Sequence, residues 1–589
     1  MRGDRPEDYT TPGVPAARSL GTQSVVQTIR IVNIQADPRC RARLERAVDE
    51  LRKDQAKSTP LPALLAIRSL HFLSMMVFTD DHYDPTLVIE ANFDGPAGPF
   101  WAELDAAIGP QLREMLRCCR PYDPDAAIFK RVTEPGSQMP LAPLLEAIAT
   151  SPAAWHLGHR GFSRARIEAE AQVFLDAQAV LVSPNRTRGK SASQLHQLLR
   201  EELLEKHPCL QAKPPWLVSL LDDIGDWFQA WLFGTFVLLA LELPGALLIR
   251  IIPFVFAIIL WPAAYLAQMV HRVMPWIRDL PVPPPFVLPL AIIIPTFGVG
   301  AWFLLGQWRQ IELATQEQGT RIERPSGNGP INWQTATLMV VELVSSIFIL
   351  GFLGWTFEGV KQPPDWVTLG WMVGLGLAGA IALVLMLLAR LRYYEERDAW
   401  QDLPLDPKDA REIAKFEDRP PGRNHMASLV HTKSGWLRSF LMGVGLTLLG
   451  FVMRTDKRSR NGYLINVRTI HFAHLTLLNN SCRLMFLSNF DGSWENYLTD
   501  FIEKVRMPLN LTWTPGVGFP PTLFYVLEGV MRGRLFRAWK RSSMTPTLFW
   551  FDAYPKLSVE QIWRQAEIAK GLRRTRLNDE DAKLWAAKL

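Results

Sequence analysis

Residues 67–95 read IRSLHFLSMMVFTDDHYDPTLVIEANFDG, and residues 467–492 read VRTIHFAHLTLLNNSCRLMFLSNFDG. Arg68, His71 and Phe72 return as Arg468, His471 and Phe472, and the tetrapeptide Asn92–Gly95 returns as Asn489–Gly492. Each stretch is two apolar runs around a short polar turn, which predicts a β-hairpin. A helix-like segment follows in both, with an aromatic near its start: Phe100 and Trp101 in one, Trp494 and Tyr497 in the other.

Outward from the first hairpin, SVVQTIRIVNIQ (24–35) is rich in β-branched residues and reads as a strand. The run that follows begins with Asp37 as N-cap and Pro38 at the first position, a helix start. After the hairpin come a helix at about 99–118, a strand AAWHLGH (153–159) and a helix opening at Ser163. The second copy repeats this order: a strand NHMASLVHTK (424–433), the apolar run 436–453, the hairpin and helix at 467–505, a strand TLFWFDA (547–553) and a helix from Ser558. Trp155 matches Trp550, and Ser163 matches Ser558. The order β-α-β-β-α-β is that of a ferredoxin-like module. The expected fold class is therefore α+β plus an α-helical membrane domain, with two such modules forming an intramolecular pseudo-dimer.

The stretch between the copies is apolar. Blocks at 229–249, 251–271, 286–306, 338–357 and 366–391 approach the ~20 residues that a spanning helix needs. Arg250 and prolines 244, 253 and 262 interrupt the first two, and two modules that pack together require an even number of crossings, so about four spans are expected. Arg390, Arg392 and Arg397 after the last block favour a cytoplasmic second module. The run 436–453 is barely long enough to cross and stands where the second module needs its first helix, so it is read as that helix, its outer face on the membrane surface or the partner module. The predicted organisation is a disordered leader 1–22, module 1 at 23–182, a linker 183–227, a transmembrane region 228–392, a linker 393–420, module 2 at 421–575 and a tail 576–589. The expected localisation is multi-pass integral membrane with both modules cytoplasmic.

Composition narrows the partners. A net charge of +6 over 589 residues, without a strong basic block, argues against a nucleic-acid surface. Hydrophobic residues make up 48%, with 21 Trp and 30 Phe, the excess concentrated between about 228 and 392, which points to the lipid bilayer as a partner. Cys40, Cys118, Cys119, Cys209 and Cys482 form no CxxC pair and no zinc spacing, as suits a reducing compartment or simple burial.

Strict alternation along the second hairpin places Val467, Thr469, His471 and Ala473 on one face and Arg468, Ile470, Phe472 and His474 on the other. On that reading His471 and His474 point opposite ways and share no metal. Apolar residues on both faces imply strands covered twice, by helices and by the sister module. At this point the sequence resembles the dimeric α+β barrel superfamily, with the dimer fused into one chain. The junctions Ala91-Asn-Phe-Asp-Gly95 and Ser488-Asn-Phe-Asp-Gly492 are loosely similar to the G-x-x-D-G signature of dye-decolorising peroxidases, though without its leading glycine. The resemblance implies a haem-dependent oxidoreductase acting on a lipophilic substrate in an inter-module pocket. Asp491 and Asp94 would move protons, and His471 or His71 would ligate haem. Arg468, with Arg68 as its counterpart, would support a carboxylate or propionate, and Trp550 would stack on the planar group.

Plainer readings stand beside these. Asp-Gly before a helix is commonly a turn, the Gly supplying an unusual φ. A histidine on an apolar strand is often a satisfied core residue, and Trp155 and Trp550 read as core. His425 and His431 share a strand face without further metal-ligand partners. Glu242 and Glu342 within the apolar blocks suggest transport or a proton relay. Three function classes follow: the oxidoreductase, a non-catalytic membrane-tethered binding protein for a hydrophobic or lipid ligand, and a transporter or scaffold.

Overall fold

The computed structural model describes residues 26–57, 62–80, 82–120, 126–182, 187–211, 224–233, 390–391, 393–395, 397–398, 407–417, 423–464, 467–479, 481–525 and 527–589. The chain divides into two compact units. One comprises Met1–Asp226, Ala399–Pro521 and Glu528–Leu589, and the other Trp227–Asp398 with Thr522–Leu527. In the second unit the Glu395 carboxylate accepts hydrogen bonds from Thr522 Oγ1 and from the backbone N–H groups of Phe524 and Tyr525. It thereby holds a turn in which both aromatics adopt positive φ.

The strands form where the sequence pattern places them: β1 Gln27–Gln35, β2 Leu70–Phe78, β3 Thr86–Asp94, β4 Ala149–Thr150, β5 Ala154–Leu157, then β6 Arg423–His431, β7 Ile470–Leu478, β8 Arg483–Asp491, β9 Met544–Thr545 and β10 Phe549–Asp552. They build two five-stranded sheets, ordered β10-β2-β3-β1-β4 and β5-β7-β8-β6-β9. Exchanging the two halves of the chain converts one order into the other, as a duplication requires.

The exchange also corrects the expectation of two self-contained ferredoxin-like modules. The fourth main strand of each half leaves its own sheet: β10 pairs antiparallel with β2, and β5 with β7. The outer place beside β1 and β6 is taken instead by the two-residue strands β4 and β9. Each sheet therefore draws on both halves, and the boundaries 23–182 and 421–575 do not enclose separate sheets. An antiparallel edge offers a row of free N–H and C=O groups, and each half caps the other's.

Helices cover the outer faces. α1 (Arg41–Lys57) and α2 (Ala97–Leu116) pack on the first sheet. α3 (Arg164–Leu181) and α4 (Ala192–Lys206) form a separate layer with two C-terminal helices. On the second sheet lie α5 (Trp436–Thr455), α6 (Trp494–Lys504), α7 (Arg506–Trp513) and α8 (Gly533–Ser542). α9 (Val559–Arg573) and α10 (Asp579–Ala586) complete the layer with α3 and α4. The segments read as linker 183–227 and tail 576–589 thus contribute α4 and α10. Their starts are capped by Ser191, in a capping box with Gln194, and by Asn578 ahead of three acidic residues. Between the sheets an apolar layer joins Ile31, Met76, Phe78 and Val88 to Ala427, Leu478, Met485 and Leu487. Each large side chain buried there contributes about 1.5–3 kcal/mol.

The membrane architecture needs correction as well. Among the described residues one helix, Leu437–Thr455 within α5, is long and apolar enough to cross a membrane, and about four such helices are not supported. Apart from 229–233 and 390–391, the five apolar blocks lie outside the described residues, as do Glu242 and Glu342. α5 takes the position in its half that α1 takes in the first, and packs on β5, where Gly450 comes so close that a Cβ would lie 2.9 Å from the Ala153 carbonyl oxygen.

Candidate functional site

The repeated hairpins place a His–Asp pair in each half. In both, the register slips by one residue at the histidine: Leu70 faces Phe93 while Phe72 faces Asn92, and Ile470 faces Phe490 while Phe472 faces Asn489. His71 and His471 are thus the extra residues of β-bulges, which re-aim side chains. The bulge overturns the alternation argument. His471 meets Phe72 of the opposite sheet, and His474, three positions on, reaches Glu90 of that same sheet. The two histidines face the same way after all.

In the first half His71 Nε2 lies 2.9 Å from Asp94 Oδ1, and Asp94 Oδ2 accepts the Arg164 backbone N–H at the start of α3. An ionised carboxylate only accepts, so the proton sits on Nε2 and Nδ1 accepts from the Tyr554 hydroxyl at 2.7 Å. Tyr554 in turn accepts from His159 Nε2 at 3.1 Å, and His159 Nδ1 accepts from the Gln27 amide at 3.1 Å. Five side chains make one directed chain ending on Asp94. Burial drives His159 well below the usual imidazole range, helped by its neighbours His471, His71 and Arg423, each of which would repel a second positive charge, and burial holds the Tyr554 phenol protonated.

The second half keeps the pair and changes its surroundings. His471 Nε2 is 2.9 Å from Asp491 Oδ1, and Asp491 Oδ2 accepts the Val559 N–H that opens α9. Where Gln27 faces Asp94 in register, Arg423 faces Asp491. Its guanidinium reaches His471 Nε2 at 2.5 Å, Asp491 Oδ1 at 3.2 Å and Asp552 Oδ2 at 2.6 Å. Burial pushes the Asp491 carboxyl up, but His471 and Arg423 outweigh it and hold it below its usual range. Asp552 is raised by burial, partly offset by Arg423. His471 is lowered by burial and by Arg423, and its Nδ1 is buried without a hydrogen-bond partner.

The remaining predicted site residues lie elsewhere. Arg68 is exposed and pairs with Glu168 at 3.4 Å, while Arg468 bonds the Tyr463 hydroxyl and stacks on Tyr463 and Trp563. Trp550 is half-buried, donates to Asn489 Oδ1 and stacks on Phe72, and Trp155 lies under Arg160. His425 and His431 serve different partners: His425 bonds Glu90 and Thr547, and His431 sits against Asp80 and Tyr83. Gly95 and Gly492 adopt φ +87, as the turn reading requires, but each adjacent Asp does more than close a turn.

Sequence reasoning missed Glu90. It is fully buried between the sheets, bonded by His425 at 3.0 Å, His474 at 3.2 Å, Ser74 at 2.7 Å and Asn92 at 3.0 Å. Burial alone would raise its carboxyl, but the two imidazoles hold it well below the usual range. A carboxylate inside the apolar stretch LVIEA (87–91) was the available signal, since such a group is buried only with partners. Among the described residues no group of three or more His, Cys, Asp or Glu is arranged to hold a metal ion.

The His–Asp pairs do not fit an axial haem ligand. Both ring nitrogens of His71 are hydrogen-bonded, and the rings of His159, Phe472 and Tyr554 stand 5.5–5.6 Å from it. Around His471 the rings of Phe72, His159 and Tyr554 leave centroid distances of 5.4–6.1 Å. What the pairs do is join three elements: the bulged strand, the NFDG turn and a helix N-terminus, where a carboxylate is favoured.

Open space lies on the outer face of the second sheet. A cavity of ≈120 Å³ runs beneath α5, α7 and α8, walled by residues such as Met426, Leu475, Phe486, Phe501 and Phe536. Its few polar groups include Lys540 and His156, both almost fully buried. Val452 lines the cavity and is also 58% exposed, which puts the mouth on the outer side of α5. Phe440 and Leu448 on α5, and Met507 and Leu511 on α7, extend that exposed apolar surface. Compared with family models, curated proteins and solved structures, the chain matches none.

Proposed function

We propose that this chain binds a lipophilic molecule in the cavity beneath α5, with the exposed face of α5 and α7 resting on a lipid surface. The observation that carries the reading is Val452, which belongs to both the cavity wall and the exposed apolar face. An apolar cavity near 150 Å³ stays dry and takes up an apolar molecule about the size of benzene, and this one is comparable and opens onto more apolar surface. Exposed apolar side chains grouped on one face mark an interaction site rather than ordinary surface. The two His–Asp pairs then tie one strand of each sheet to the starts of α3 and α9, and the cavity does the binding.

A neutral naphthylamine dye, bright only in apolar surroundings, tests this on the full chain. Saturable binding is expected, weakened at least tenfold by Ala473→Phe, which fills the cavity from its sheet side, and by Leu509→Trp, which fills it from α7. Dye binding unchanged in both folded variants would overturn the proposal.

A further inference from the structure

The cavity holds a lysine that, among the described residues, pairs with no carboxylate: the acidic residue on its wall, Asp456, bonds the Ser459 backbone N–H at the His156 end. Lys540 projects from α8 toward the sheet, and its ammonium nitrogen lies 2.9 Å from Ser428 Oγ and 3.6 Å from the centre of the Trp513 ring. Phe486 and Trp539 complete its surroundings, and among the described residues it forms no salt bridge. An ammonium group has three protons to donate, and a buried charge left unpaired is strongly unfavourable. Two other buried cations are compensated: Arg423 has Asp491 and Asp552, and Arg483 has Asp80.

Position adds to composition. Ser428 is on β6 and His156 on β5, with β8 and β7 between them. At ~4.8 Å per strand the cavity wall between the two residues spans about 14 Å. Lys540 stands at the β6 end, under Trp513, whereas Val452 marks the mouth on α5. His156 binds Ser459 through Nδ1 and has a buried Nε2 with no partner.

Resting on the cavity's role as a lipophilic binding site, we infer that its ligand is an anionic amphiphile of the fatty-carboxylate class, with the carboxylate on Lys540 and the hydrocarbon chain leading to the mouth at Val452. The ligand's anion supplies the charge that the protein omits, and the two free ammonium protons match two carboxylate oxygens. Burial among aromatic rings lowers the proton affinity of the Lys540 amine, and a carboxylate bound beside it would raise that affinity again.

The test compares a fluorescent polyene fatty acid with the alcohol of the same chain, on the full chain and on Lys540→Met. The acid is expected to bind at least tenfold more tightly than the alcohol, and Lys540→Met to abolish that preference while leaving alcohol binding in place. Lys540→Arg, which keeps the charge, should retain part of the preference, and Ser428→Ala should retain most of it in a folded protein. Equal binding of acid and alcohol, or an unchanged preference in Lys540→Met, overturns the carboxylate assignment alone. Binding of neither molecule overturns it together with the cavity's assigned role.

Discussion

The two His–Asp pairs share a bulge, a turn and a helix N-terminus, yet one sits in a neutral chain of hydrogen bonds and the other in a cluster of charges. His71 is tied through Tyr554 and His159 to Gln27, and the chain carries one formal charge, on Asp94. His471 shares its space with Arg423, Asp491 and Asp552. The difference traces to one position on the first strand of each half, Gln27 against Arg423. Once a cation is buried there, further carboxylates must accompany it. Duplicated geometry is thus compatible with two different electrostatic solutions, and a neutral network tolerates loss of a partner better than a charged one.

The largest expected effect breaks this comparison directly. Arg423→Met leaves two carboxylates buried without their cation and should cost about 3–5 kcal/mol in urea unfolding. Gln27→Met removes neutral hydrogen bonds and should cost about 1–3 kcal/mol. Asp552→Asn in the Arg423→Met background should restore part of the loss; equal costs at positions 27 and 423 would refute the distinction.

Gly158 against Ala553 gives a smaller effect. Both donate their N–H to a bulge histidine, Gly158 to the His471 carbonyl at 2.8 Å and Ala553 to that of His71 at 3.0 Å. A Cβ on Gly158 would come within 1.9 Å of the Ile470 carbonyl oxygen, whereas position 553 already carries one. Gly158→Ala should therefore destabilise by about 1–3 kcal/mol. Ala553→Gly should cost less, read from the same unfolding midpoints.

The smallest effect is in pH. His471 has a folded-state affinity for protons below that of the unfolded chain, so below pH ~6.5 the unfolded state binds more protons and stability falls as pH falls. His471→Gln should reduce that slope by at most one proton, about 1.4 kcal/mol per pH unit at its limit. Unfolding at pH 7.5, 6.5 and 5.5 measures it. Arg423 contributes to the lowering, so a variant without it should shift the decline to lower stability overall but a shallower His471 share.

Much of the fold was legible because periodicity and caps are local. The hairpins, the strand ends near Trp155 and Trp550, and the helix starts at Ser163 and Ser558 all stand within a few residues of the pattern that predicts them. Partnering is not local. Nothing in AAWHLGH says that it will pair with His474 rather than with its own half. The bulge at His71 and His471 likewise escaped, because an inserted residue shows only against the opposing strand. The arginine of the site was sought at Arg68 and Arg468, next to the histidine in sequence. Register instead brings Arg423 opposite Asp491, a match that aligning the two first strands on their hairpin partners would have revealed.

The exchanged strands have a consequence for synthesis. The hydroxyl that completes the His71 network comes from Tyr554, 483 positions later in the chain. At ~5–20 residues per second, the interval between the two leaving the ribosome is on the order of half a minute or more. Throughout it the edge of β2 lacks β10, and β5 waits without a partner until β7 is made. The amino-terminal half is thus born as an incomplete sheet with an open edge, and it reaches its final form when the last strand arrives.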